Sequence, residues 1–233
     1  MLKNKLLTPS LIELSIASNY SSTSSLEIFN RLNKPKVDLP FLVTEFQKLR
    51  DDLISRQSCS NQAYPKAYNI ADELCLLIYL TVRTYHPLTI LETGVANGVS
   101  SYFILNAMNK NNQGTLYSTD IASDVGGILN EEEKKRWKLK VLNNRKIGSQ
   151  FREIVDDLPS MDIFVHDSDH TFDGQMSEYK QIYHKISDSG FLISDDVDMS
   201  YAFIHFCSTH GINPMILVTS TKVVGLFQKT TKF

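Results

Sequence analysis

Two short acidic runs hold most of the chemistry open to this sequence. His166-Asp167-Ser168-Asp169-His170 follows the apolar Ile163 to Val165, and Asp195-Asp196 follows Phe191 to Ile193, with Asp198 close behind. A carboxylate directly after a buried strand stands at a sheet rim, where open α/β sheets bind their ligands. If the two strands are neighbours, Asp167, Asp195 and Asp196 converge there. Carboxylates so close repel one another, and a cation relieves the repulsion. A hard divalent ion, Mg²⁺ for choice, prefers such oxygens and keeps positions open for water or a substrate hydroxyl. His170 can reach the same mouth, and an ordinary pKa of about 6.5 suits a general base at neutral pH. His166 should point away from Asp167, because side chains alternate along a strand. The competing reading of both runs is solvated loop acids and helix caps. His86, His184, His205 and His210 have no partners in sequence and read as structural.

A second feature is the run Ile-Leu-Glu-Thr-Gly-Val-Ala-Asn-Gly-Val-Ser-Ser from Ile90 to Ser101. It starts as an apolar strand, turns through Gly94 and Gly98, and enters a helical stretch from Val99 to Asn106. Glycines there tolerate unusual backbone angles and let a ligand lie against the main chain at a helix N-terminus. The spacing is not that of a dinucleotide or phosphate-binding loop. Asp120 ends the next strand, 22 residues after Gly98. A carboxylate at that place can accept both hydroxyls of a ribose.

These residues need a sheet to hold them. Runs at Thr115 to Asp120, Trp137 to Leu142, Met161 to Asp167 and Gly190 to Asp195 read as further strands. Helical candidates lie between them at Glu131 to Arg136, Ser149 to Leu158 and Gly174 to Ile186. Met215 to Thr219 and Val224 to Gln228 read as a closing antiparallel hairpin. The pattern predicts an α/β fold: a doubly wound, mostly parallel seven-stranded sheet with an antiparallel C-terminal hairpin and an N-terminal helical extension. Upstream, the spacing predicts a helix from Asp38, burying Leu42, Val43, Phe46, Leu49 and Leu53, and a second from Ile70 to Tyr85. Weak helical patterning marks Leu11 to Ala17 and Leu26 to Leu32. Arg56 to Tyr68 reads as a loop suited to a lid. The expected division is an extension over 1–69 and a ligand-binding domain over 70–233.

Bulk properties narrow the partners. With 24 basic and 26 acidic side chains the formal charge is −2, and the one Lys-rich run, Lys134 to Lys140, follows Glu131 to Glu133. Nucleic acid is therefore disfavoured as a partner. Cys59, Cys75 and Cys207 have no paired spacing, which fits a reducing compartment. Pro9 and Glu13 interrupt the N-terminal apolar stretch, and no run has the length of a membrane span. A cytoplasmic protein without a membrane partner is expected, with a homodimer through the N-terminal extension as one possible assembly.

The Gly94 turn, the strand ending at Asp120, His-Asp-Ser-Asp-His-Thr-Phe and Ser-Asp-Asp-Val-Asp together resemble the class I S-adenosylmethionine-dependent methyltransferases. More narrowly they are similar to the metal-dependent O-methyltransferases of the catechol and macrocin types, over roughly 70–228 in order. The resemblance implies S-adenosylmethionine and Mg²⁺, or another divalent cation, as cofactors and a small-molecule hydroxyl, sugar or phenolic, as acceptor. It further implies Glu92 and Gly94 near the methionine moiety, Ser100 on its carboxylate and Asp120 on the ribose. Asp167, Asp195 and Asp196 would be metal ligands, Asp167 also bordering the cofactor, and His170 the base. Ala96 stands where the family usually has glycine, and Asn143 or Asn144 where an acid often reads adenine. Tyr64, Tyr68 and Tyr201 are candidate pocket walls. Two rivals stay open: a metal-independent small-molecule methyltransferase, and a non-catalytic cofactor-binding regulatory protein.

Overall fold

The computed structural model describes residues 21, 22, 24–32, 34–59, 63–65 and 69–230. Leu11 to Ala17 and Tyr68 lie outside them. Among the described residues eight strands form one sheet: β1 (Ser21–Ser22), β2 (Thr89–Thr93), β3 (Thr115–Asp120), β4 (Trp137–Val141), β5 (Met161–His166), β6 (Ile186–Ser194), β7 (Met215–Val218) and β8 (Val223–Gln228). Their order is β1-β7-β8-β6-β5-β2-β3-β4. The expected seven strands are thus joined by a two-residue edge strand, β1, parallel to β7. β8 runs antiparallel to both β6 and β7, as the hairpin pattern predicted.

Two apolar layers cover the sheet. On one face lie α1 (Ser25–Arg31), α2 (Leu39–Cys59), α3 (Asp72–Tyr85) and α4 (Val99–Asn111), sharing a core that includes Phe29, Phe46, Leu77 and Phe103. The short α5 (Glu131–Lys134) caps the approach to β4. On the other face lie α6 (Ile147–Asp157), α7 (Phe172–Ile182) and α8 (Ala202–His210), packed around Phe151, Phe164, Tyr179 and Phe206. Burial on both faces explains why Ile90-Leu91 in β2 and Ile163 to Val165 in β5 are consecutive apolar residues rather than alternating ones.

The predicted helix from Asp38 forms, with Asp38 Oδ1 accepting from Phe41 N at 3.1 Å. It buries Leu42, Phe46 and Leu53, while Val43 and Leu49 are half-buried. It also runs on to Cys59, so Arg56 to Cys59 is helix and not the expected loop. α3 ends at His86, left-handed at φ 51°, before Pro87. α8 has no counterpart among the elements expected from the sequence; it buries Phe203, Ile204, Phe206 and Cys207 and turns His205, Ser208 and Thr209 to its less buried face.

The chain order places the ligand edge. From β2 the chain winds outward through β3 and β4, then returns to β5 and winds the other way through β6. The order therefore reverses between β2 and β5, and a crevice opens above their carboxyl ends. Thr93 pairs with His166, and His166 with Ser194, so Gly94, Asp167 and Asp195 leave the sheet side by side.

Candidate active site

A cavity of about 770 Å³ opens at this switch point. Its floor is the Gly94 turn, its apolar wall is Ile121, Leu142 and Phe151, and its acidic end holds Asp167, His170 and Asp196. Size and lining suit a nucleoside-sized ligand.

Gly94 sits at φ 81°, and a Cβ there would fall 1.8 Å from the Asp167 carbonyl oxygen. Glycine is thus required by the close approach of β2 to β5, beyond any ligand contact. Ala96 takes a left-handed φ of 46°, so the glycine that the resemblance expects would relieve strain here. Gly98, at φ 91°, begins α4, and a Cβ would lie 2.9 Å from Gly126 Cα. It shapes the turn without lining the cavity.

Asp120 borders the cavity beside the turn. Oδ2 accepts from Val95 N at 2.8 Å and Ala96 N at 3.4 Å, and Oδ1 accepts from Ala122 N at 2.9 Å. These bonds fix the carboxylate against the floor, and Oδ1, which accepts one bond, keeps a lone pair for a hydroxyl. Glu92 and Ser100 are turned into the protein. Fully buried Glu92 accepts from Ser100 Oγ at 2.5 Å, Ser101 Oγ at 2.6 Å and Ser118 Oγ at 2.7 Å. Burial raises its pKa against the pull of those three hydroxyls. Asn143 is spent on its own turn, its Oδ1 accepting from Arg145 N at 2.9 Å, and Leu142 faces the cavity instead. Tyr64 lines the cavity, with its hydroxyl 3.1 Å from Asp124; Tyr201, the left-handed N-cap of α8, does not line it.

At the acidic end, His170 Nε2 lies 3.6 Å from both Asp167 Oδ1 and Asp196 Oδ2. One donor atom from each of the three falls within 4.8 Å of the others, an arrangement that could hold a metal ion. Burial and the neighbouring Asp195 carboxylate push the Asp167 pKa well up. Burial lowers that of His170 against the opposing charge of Asp196. Asp195, expected as a third carboxylate ligand, stands outside this group. The Lys222 ammonium bonds to its Oδ2 and lies 3.2 Å from Asp196 Oδ2. Asp195 Oδ1 is buried and has no hydrogen-bond partner. The oxygen donors and the mutual repulsion of Asp167 and Asp196 fit a hard divalent cation, with these two as the available carboxylates.

Two residues at the site went unread in sequence. Lys222 precedes β8, and because β8 is antiparallel to β6 its start lies at the rim where β6 ends. Glu178, on α7, accepts from Thr93 Oγ1 at 2.7 Å and Ser168 Oγ at 2.8 Å, and bonds His166 Nδ1 at 2.8 Å. It ties together the ends of β2 and β5, and His166 is buried under the rim as expected. Gly174, Ser177, Glu178 and Gln181 share one helix face toward the cavity, a signal visible as three- and four-residue spacing.

Known proteins bear on the class. Residues 91–197 match the family described as a methyltransferase domain. No curated protein matches the chain. Among solved structures, an SAH-bound Podospora anserina methyltransferase, PaMTH1, is 15% identical, with 96% of this chain and 98% of that chain covered and a TM-score of 0.55. The O-methyltransferase from Bacillus cereus in complex with SAH is 12% identical over 89% of this chain and 98% of its own, at a TM-score of 0.58. TomG, an O-methyltransferase from Streptomyces achromogenes involved in tomaymycin synthesis, is 13% identical over 89% and 97%, at 0.56. Identities this low speak to the fold alone, which is the Rossmann-like α/β fold of these enzymes. The methyltransferase-domain match lies over the switch-point strands, from β2 to the segment just after β6.

Proposed function

We propose that the chain transfers a methyl group from S-adenosylmethionine to a hydroxyl of a small molecule, a sugar or a phenol. The observation that carries this reading is a histidine Nε2 facing two carboxylates at the same strand edge as the Asp120 ribose position. The O-methyltransferase activities named for the Bacillus cereus and Streptomyces achromogenes proteins support it.

When bound, the cofactor supplies a methyl carbon already activated by its sulfonium charge. The protein therefore has mainly to align the partners and raise the nucleophilicity of the acceptor. The Gly94 turn and Asp120 hold the donor, with Asp167 bordering both sites. His170, kept neutral by burial, takes the hydroxyl proton on Nε2 as the oxygen attacks. Mg²⁺ would be held by Asp167 and Asp196 and would supply Lewis acidity toward that hydroxyl. The extension over 1–69 acts in this reading as a cover on the domain over 70–233, through Tyr64 at the cavity. A second, metal-independent reading is favoured by Lys222, whose ammonium already neutralises part of the rim.

The test is transfer of labelled methyl to a panel of sugar, phenol and amine acceptors, with and without a chelator. Hydroxyl products are expected, and His170→Ala should lower turnover by about 10²- to 10⁴-fold while sparing cofactor affinity. Turnover unchanged in His170→Ala would remove it as base, and transfer to amines alone would replace the hydroxyl acceptor. Turnover that survives the chelator would favour the metal-independent form.

A further inference from the structure

Lys222 has the surroundings of a built part of the rim. Its side chain is 13% exposed, and its ammonium contacts Asp195 Oδ2 and Asp196 Oδ2. The turn that carries it is held from both sides. Thr219 N donates to the Lys222 carbonyl at 2.9 Å, and Lys222 N donates to Thr219 Oγ1 at 2.9 Å. Val197 N donates to the Val223 carbonyl at 2.9 Å, which joins the segment after Asp196 to the start of β8. Asp195 has a fully buried side chain, and its one bonded oxygen is the one Lys222 takes.

We propose that the Lys222 ammonium is the resident cation of this rim, claiming the carboxylates a divalent ion would need, and so sets how tightly the chain binds such an ion. The inference rests on the proposed function only in taking that ion to be divalent and oxygen-seeking. A point charge of one unit satisfies one oxygen of Asp195 and leaves the other orphaned, whereas an ion of charge two has to enter against the ammonium. Removing Lys222 therefore frees Asp195 and deletes the repulsion together. Asp195 then joins Asp167 and Asp196 as the third carboxylate expected from the sequence.

Mn²⁺ titrated into the full chain, without cofactor or acceptor, with the free ion followed by electron paramagnetic resonance, tests this directly. Lys222→Met should bind Mn²⁺ at least tenfold more tightly than the wild type, and adding Asp195→Asn should remove that gain. Lys222→Gln serves the same comparison if the Met variant does not fold. Affinity within threefold of wild type, weaker binding, or a gain that persists with Asp195→Asn would overturn the proposal. Because the measurement involves no methyl transfer, its failure is separable from failure of the acceptor panel.

Discussion

Glu92 is a carboxylate whose job is to be surrounded. Three serine hydroxyls from α4 and β3 converge on it, and no water reaches it. Burial raises its folded pKa above the ordinary 4.5, so the folded state holds a proton there more tightly than the unfolded chain. Its contribution to stability is fully present below 4.5 and is lost as the pH rises through the folded value. Glu92→Gln should thus gain stability relative to wild type as pH rises from about 4.5 toward neutrality, read as the difference in denaturation midpoints. A difference that stays flat or falls over that range would show that the buried carboxylate is not raised. In sequence, Glu92 and Ser100 were visible as part of the turn, but only the fold reveals that they face each other. The same limit applies to Ala96, whose left-handed angle no composition argument could supply.

Among elements, α2 shows what an extension can do for a site it barely touches. Arg56, on its last turn, donates to Glu133 Oε2 at 2.9 Å and to the Ile128 carbonyl at 3.1 Å, and stacks over Tyr102. Glu133 is 3% exposed, and Arg56 is its cation. The clasp thereby holds the 121–130 loop that includes the cavity wall at Ile121. Arg56→Ala should cost about 2 kcal/mol in chemical denaturation, below the ~3–5 kcal/mol of breaking a fully buried pair because the arginine is partly exposed. A loss below about 0.5 kcal/mol would mean that packing alone holds the loop. The periodic elements were legible: β3 has the bounds its residues predicted, and α2 and α3 form on their apolar spacing. α8 was not read, although His205, Ser208 and Thr209 mark its less buried face at helical spacing and Gly211 as a left-handed C-cap was a stop signal. Lys222 was hidden for a topological reason. Only the antiparallel pairing of β8 with β6 brings that turn to the acidic rim.

At the scale of the whole molecule, strand order does the assembling. Acids that are 28 residues apart in sequence, Asp167 and Asp195, become neighbours because β5 and β6 pair in parallel, and the reversal at β2 and β5 sets the glycine turn beside them. No helix among the described residues is long and apolar enough to cross a membrane. The sequence conveyed the sheet class and the rim acids because both follow from local pattern. It did not convey which acid would be free, because that depends on a cation from a distant hairpin. The most direct test of the account is calorimetric titration of S-adenosylmethionine into the full chain and into Asp120→Ala. One-to-one binding to the wild type, weakened at least tenfold in Asp120→Ala, is the predicted result. No binding to the wild type, or equal affinity in the variant, would contradict it.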